Sequence, residues 1–260
     1  MAWTAVVTLT YADSVRQPTL WLATAVGLGF LVLTTVFGMF NFFEQDRFRL
    51  FCTAGVAITM LNGVFLAPVL GASAVSEELS DRTALTLFAK PLGRGAYLVG
   101  KTLGVWAATV SSSAVLAGAH LGLLAWLQRH GFPGDHHHSD DPAAWAWVPY
   151  TRLILAHFLG TLTALSLATL GIVLALRLRA AGAITACFAA FVGANVLAGI
   201  GLPTTVILPA LAIFQIDDAL QFRRFPIEPD YFGLCVVHSL LYSSGCLLLG
   251  LSLFKRQDLA

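Results

Sequence analysis

Apolar residues in this chain come in long unbroken runs, with the polar residues gathered between them. Neither the one-sided stripe of a surface helix nor the alternation of a half-buried strand organises them. A hydrocarbon layer of ~30 Å needs about 20 residues at ~1.5 Å each, so uncharged runs of about 18 or more predict membrane-spanning helices. Six spans are predicted, at 19–40, 51–75, 102–127, 153–176, 181–202 and 232–254. The uncharged stretch from Ala180 to Ile216 is too long for one upright helix and holds Gly199, Gly201, Pro203 and Pro209. It predicts the fifth span followed by a re-entrant segment that dips into the outer interface before the last span.

Composition agrees: 57% of the 260 residues are hydrophobic and 11% charged, whereas soluble domains carry about a quarter charged residues. The expected fold is an all-α, polytopic integral membrane protein, with residues 1–260 forming one transmembrane domain. Lys and Arg beside spans stay on the cytoplasmic side. A topology with both termini inside places all three lysines, Lys90, Lys101 and Lys255, in the cytoplasm. The first 18 residues lack the positive start and cleavage site of a secretory signal; they predict an N-terminal helix along the inner surface, anchored by Trp3 and Tyr11. Cys52, Cys187, Cys235 and Cys246 form no C-x-x-C pair and indicate no disulfide framework.

"GAYLVGKT", Gly95 to Thr102, matches the phosphate-loop pattern G-x-x-x-x-G-K-[ST]. That loop works only where a strand delivers it to a helix N-terminus inside an α/β domain. About 25 residues separate the flanking spans, and a parallel sheet with its crossovers needs about a hundred or more. The acidic pair Asp217 and Asp218, which imitates a magnesium-binding partner, falls on the opposite side of the membrane in this topology. Gly95 and Gly100 are therefore read as turn residues, and Lys101 as a membrane anchor that snorkels from the cytoplasmic end of the third span.

The inner loop reads "SEELSDRTALTLFAKPLGRGAYLVGK" from Ser76 to Lys101. Ser76 suits a helix cap, Glu77 and Glu78 a positive first turn, Lys90 a negative last turn, and Pro91 a stop. Glu78 and Arg82 are spaced to pair across one turn. A short amphipathic helix is predicted on the cytoplasmic surface.

This loop resembles that of the permease subunits of type-2 ABC transporters, in which an acid, a threonine, a leucine-rich turn, a proline, a basic residue and Gly-Lys follow in order. Glu78, Thr83, Leu87, Pro91, Arg94, Gly100 and Lys101 take those places, and the tail "LFKRQDL", Leu253 to Leu259, is similar as well. Arg82 departs from the pattern, standing where a glycine usually precedes the threonine. The resemblance implies a coupling helix that docks on a separate ATPase subunit, with Glu77, Glu78, Arg82, Thr83, Leu87, Pro91 and Arg94 as the contact surface. It further implies ATP and magnesium on that partner chain and none on this one, a second permease copy, identical or related, and an exporter in the inner (plasma) membrane. No nucleic-acid partner is expected. No covalent chemistry is expected of this chain, since no nucleophile–base pair or acid dyad is recognisable. The alternative is a membrane anchor or regulatory subunit that uses the same helix for docking without transport.

The six span cores contain no Asp, Glu, Lys or Arg, so an ion gradient has little to grip. Asn62 and Asn195 are read as interhelical hydrogen-bonding groups. All seven histidines fall on the outer side or in the outer half of a span. His130, His136, His137 and His138 lie in an aspartate-bearing loop, while His120, His157 and His238 lie within spans three, four and six. Imidazoles beside carboxylates bind zinc or copper, which makes His120, His136, His138, His157 and His238 candidate metal ligands. Irregular ligand spacing favours instead a solvated loop and hydrogen-bonded histidines in the spans.

Overall fold

The computed structural model describes residues 2–36, 44–80, 93–132, 148–200, 214, 216, 220 and 227–255. Among them the chain forms seven helices and no strands: α1 Ala2–Arg16, α2 Pro18–Val36, α3 Glu44–Ser80, α4 Arg94–His130, α5 Tyr150–Ala175, α6 Ala180–Gly199 and α7 Pro229–Lys255. The last six are long and apolar enough to cross a membrane. Each overlaps one predicted span, but α3 and α4 reach well past the apolar runs that announced them. The physical reason is that a helix keeps bonding its backbone beyond the hydrocarbon layer, where hydropathy no longer reports it. Residues 76–80, expected to begin a separate helix, are the last turns of α3; 81–92 lie outside the described residues. The re-entrant segment also falls outside them, apart from Phe214 and Ile216.

Neighbouring spans alternate in direction. Gly55 meets His120, Asn62 meets Ser112 and Glu78 meets Lys101, so α3 and α4 are antiparallel. Met60 meets Gly160 and Gly71 meets Ala168, so α3 and α5 are parallel. Ser166 meets Ser239 and Val173 meets Gly250, so α7 runs with α5. The start of α2 and the end of α7 therefore share one end of the bundle, the basal end, and the α2–α3 connection lies at the apical end.

Helix α5 is the most enclosed span, with α3, α4, α6 and α7 against it. Its contact with α3 is the closest, because small residues let the backbones approach where lipid supplies no hydrophobic drive. A Cβ on Gly71 would stand 2.5 Å from the Ala168 carbonyl oxygen, and one on Gly171 would stand 3.2 Å from Pro68 Cα. Neutral polar groups stitch the same interior: Asn62 Nδ2 donates to Ser112 Oγ at 3.2 Å, and Ser112 lies 2.8 Å from Thr24 Oγ1. Asn62 thus bonds between helices as expected, and Asn195 Nδ2 donates to the Phe191 carbonyl one turn back.

Helix α1 buries Val6, Thr10 and Ser14, a ridge of four-residue spacing. Val6 and Thr10 sit over Gly100 and Gly104 of α4. Trp3 stays exposed, and the Tyr11 hydroxyl reaches Ser111 Oγ at 3.4 Å.

Candidate functional site

The ends of α3 and α7 and the starts of α4 and α6 come together at the basal end. Glu78, in the last turns of α3, accepts from Lys101 Nζ at 2.6 Å and from the Tyr97 hydroxyl at 2.7 Å, both on α4. The Lys101 side chain is 3% exposed and that of Glu78 19%. Lys101 therefore does not snorkel to the interface as its sequence position implied. Its stem is enclosed by protein, and an ammonium removed from water needs a carboxylate beside it. Tyr97 is fully buried in the basal core with Leu98, Val75, Ile172 and Phe254.

Arg94, in the first turn of α4, turns toward α7. Its Nη1 donates to the Phe254 carbonyl at 2.8 Å, and its guanidinium lies 5.6 Å from the centre of the Phe254 ring. A cation on the last carbonyls of a helix satisfies an acceptor that the helix cannot and faces the negative end of its dipole. Ser76 plays the converse part, its Oγ accepting from the Ala180 amide at 3.1 Å, where α6 begins with unsatisfied donors. Of the residues expected on the contact surface, Glu78 and Arg94 thus point into the bundle. Glu77 is exposed, and Arg82, Thr83, Leu87 and Pro91 lie outside the described residues.

The phosphate-loop match has a structural account. Residues 95–102 are continuous helix, with no loop to wrap a phosphate. Gly100 is the close-approach point for α1, where a Cβ would lie 2.9 Å from the Val6 Cβ.

At the apical end, His120 Nδ1 and His157 Nε2 are 2.9 Å apart, and His120 Nε2 is 3.2 Å from the Phe51 carbonyl oxygen. A carbonyl only accepts, so His120 carries its proton on Nε2. In the neutral ring Nδ1 then accepts from His157 Nε2–H, leaving His157 Nδ1 without a partner among the described residues. The His120 ring occupies the space a side chain at Gly55 would need, 2.2 Å from the position of such a Cβ. His238 stands apart on α7, its ring 6.0 Å from that of Phe214, and His136 and His138 fall outside the described residues. No three His, Cys, Asp or Glu side chains are placed to hold a metal ion among the described residues. All four cysteines are free thiols.

Arg47, near the start of α3, is 2% exposed. Its Nη2 donates to the Thr35 carbonyl near the end of α2, at 3.2 Å, with the guanidinium 4.2 Å from the centre of the Phe132 ring. An arginine thus caps a neighbouring helix at each end of the bundle.

These features define a multi-pass helical membrane protein with an apolar interior and a polar clasp at its basal end. No protein-family model matches the chain, and no curated protein matches it.

Proposed function

We propose that this chain is the membrane-spanning permease subunit of an ATP-binding-cassette transporter of the type-2 class, an exporter driven by a separate ATPase chain. The observation that carries the reading is the Glu78–Lys101–Tyr97 clasp. It joins the end of α3 to the start of α4, so the segment between them springs from two helices tied together by an ion pair whose lysine is buried. A short segment on such a base suits a mechanical handle, because a push on it is delivered to the spans rather than absorbed by loose stems. The docking face in this reading is Glu77, Arg82, Thr83, Leu87 and Pro91, with ATP and magnesium held by the partner. A second copy of the chain, or a relative, completes the translocation path by alternating access. The amino-acid pattern of the loop, from Glu78 through Pro91 to Lys101, supports the same class.

The test is to purify the tagged chain from its native membranes and assay ATP hydrolysis. An ATPase subunit should accompany the wild-type chain, and Pro91→Ala combined with Thr83→Ala should reduce that association. A chain that purifies without any ATPase, or that hydrolyses ATP alone, removes the reading.

A further inference from the structure

Among the described residues, helix α7 meets the first turns of α4, and the fastening there is specific. Arg94 donates to the Phe254 carbonyl at 2.8 Å, Phe254 packs on Tyr97 with ring centres 5.9 Å apart, and a Cβ at Gly95 would lie 3.8 Å from Leu251. One turn further in, Gly250 admits Leu98, whose Cδ2 would stand 3.2 Å from a Cβ there. Toward α5 the contact is broader and carries no charge: the Ser166 and Ser239 hydroxyls lie 3.0 Å apart, Ser239 Oγ donates to the Leu162 carbonyl at 3.3 Å, the Phe158 and Phe232 ring centres are 5.4 Å apart, and a Cβ at Gly250 would stand 2.9 Å from Val173 Cγ2. One face of α7 is thus pinned to α4 by a charged group at its basal end, while the other rests on α5 through uncharged groups.

We infer that Arg94 is a positioning residue which makes α7 the helix driven by the handle: it fastens α7 to α4 so that the two shift together against α5. The inference rests on the transporter reading for the source of the motion, but the fastening can be tested without it. It also takes Arg94 out of the ATPase contact surface, because its guanidinium is committed to another helix of the same chain.

Two cysteine pairs, introduced into a chain freed of its own four cysteines, separate the questions. In the purified chain, Gly95→Cys with Leu251→Cys reports the α4–α7 joint through a short bifunctional methanethiosulfonate. Arg94→Ala should slow that cross-link about fivefold or more, and Arg94→Lys, which keeps a cation and a donor, should slow it less. In inside-out native vesicles, Ser166→Cys with Ser239→Cys reports the α5–α7 seam. ATP with vanadate should change its disulfide formation about fivefold or more when Arg94 is present, and leave it unchanged in Arg94→Ala although the ATPase still accompanies the chain. An unaltered 95–251 cross-link in Arg94→Ala overturns the inference, as does a nucleotide response that survives Arg94→Ala. A chain with Arg94 intact that gives no nucleotide response at all overturns the transporter reading and the driven helix with it, while the 95–251 pair still reports whether the joint exists.

Discussion

Lys101 Nζ lies 2.6 Å from Glu78 Oε1 across the α3–α4 hairpin, with the lysine side chain 3% exposed. Losing one member of such a pair strands a charge away from water, and the two losses are unequal here. Glu78→Gln leaves the enclosed ammonium without its counter-charge and should cost about 3 kcal/mol. Lys101→Met leaves a carboxylate that keeps the Tyr97 hydroxyl and some contact with solvent, and should cost about 1–2 kcal/mol. The double variant should lose less than the sum of the two. Thermal unfolding of the purified chain in detergent measures all three.

At the other end of the bundle, Gly55 and His120 share one space. Gly55→Ala places a methyl inside the imidazole and should destabilise the protein by about 3 kcal/mol or more. His120→Ala opens a cavity and removes the second, imidazole donor to the Phe51 carbonyl, costing about 2–4 kcal/mol. In the combined variant the new methyl enters the vacated space, so the two costs should fall short of additivity by about 1 kcal/mol or more. The same unfolding experiment reads the coupling.

Gly104→Val tests the seating of the first helix. A Cβ at that position would stand 2.6 Å from Thr10 Cβ and 2.9 Å from the Val7 carbonyl oxygen, with no flexible side chain able to yield. The variant should release α1 from α4 while leaving α2 to α7 in place. Protease should then cut within the first 16 residues at least about tenfold faster than in the wild type, because local opening governs cleavage.

The extent of the apolar runs made the six spans legible, since lipid demands length and lack of charge and little else. The polar clasps were not legible. Glu78 has partners 19 and 23 positions away, which sequence does not offer because it shows only neighbours along a helix; the pairing expected with Arg82 lies outside the described residues. Lys101 looked like an interfacial anchor for the same reason: hydropathy places a lysine at a span end but says nothing of the helix beside it. Ser76 carried a true capping signal whose helix was misjudged, as it caps α6 in space rather than a helix of its own. The pairing of His120 with His157 depends on how α4 and α5 are rotated, which two apolar runs do not specify.

Gly95 to Thr102 imitates a phosphate loop, yet it is helical and its lysine is engaged by Glu78. The purified chain, free of any partner, should therefore show no labelling by photoreactive ATP above that of Lys101→Ala. Saturable labelling that disappears in Lys101→Ala would reverse the account of this motif.

The central claim is that the segment between α3 and α4 faces the cytosol as the handle for a separate motor. Gly93 is exposed at the start of α4, and a Cβ there meets nothing within 4 Å, so Gly93→Cys can report sidedness without disturbing the fold. In a chain otherwise free of cysteine, it should react with a membrane-impermeant maleimide in inside-out vesicles and stay unlabelled in intact cells. Labelling from outside intact cells would contradict the account.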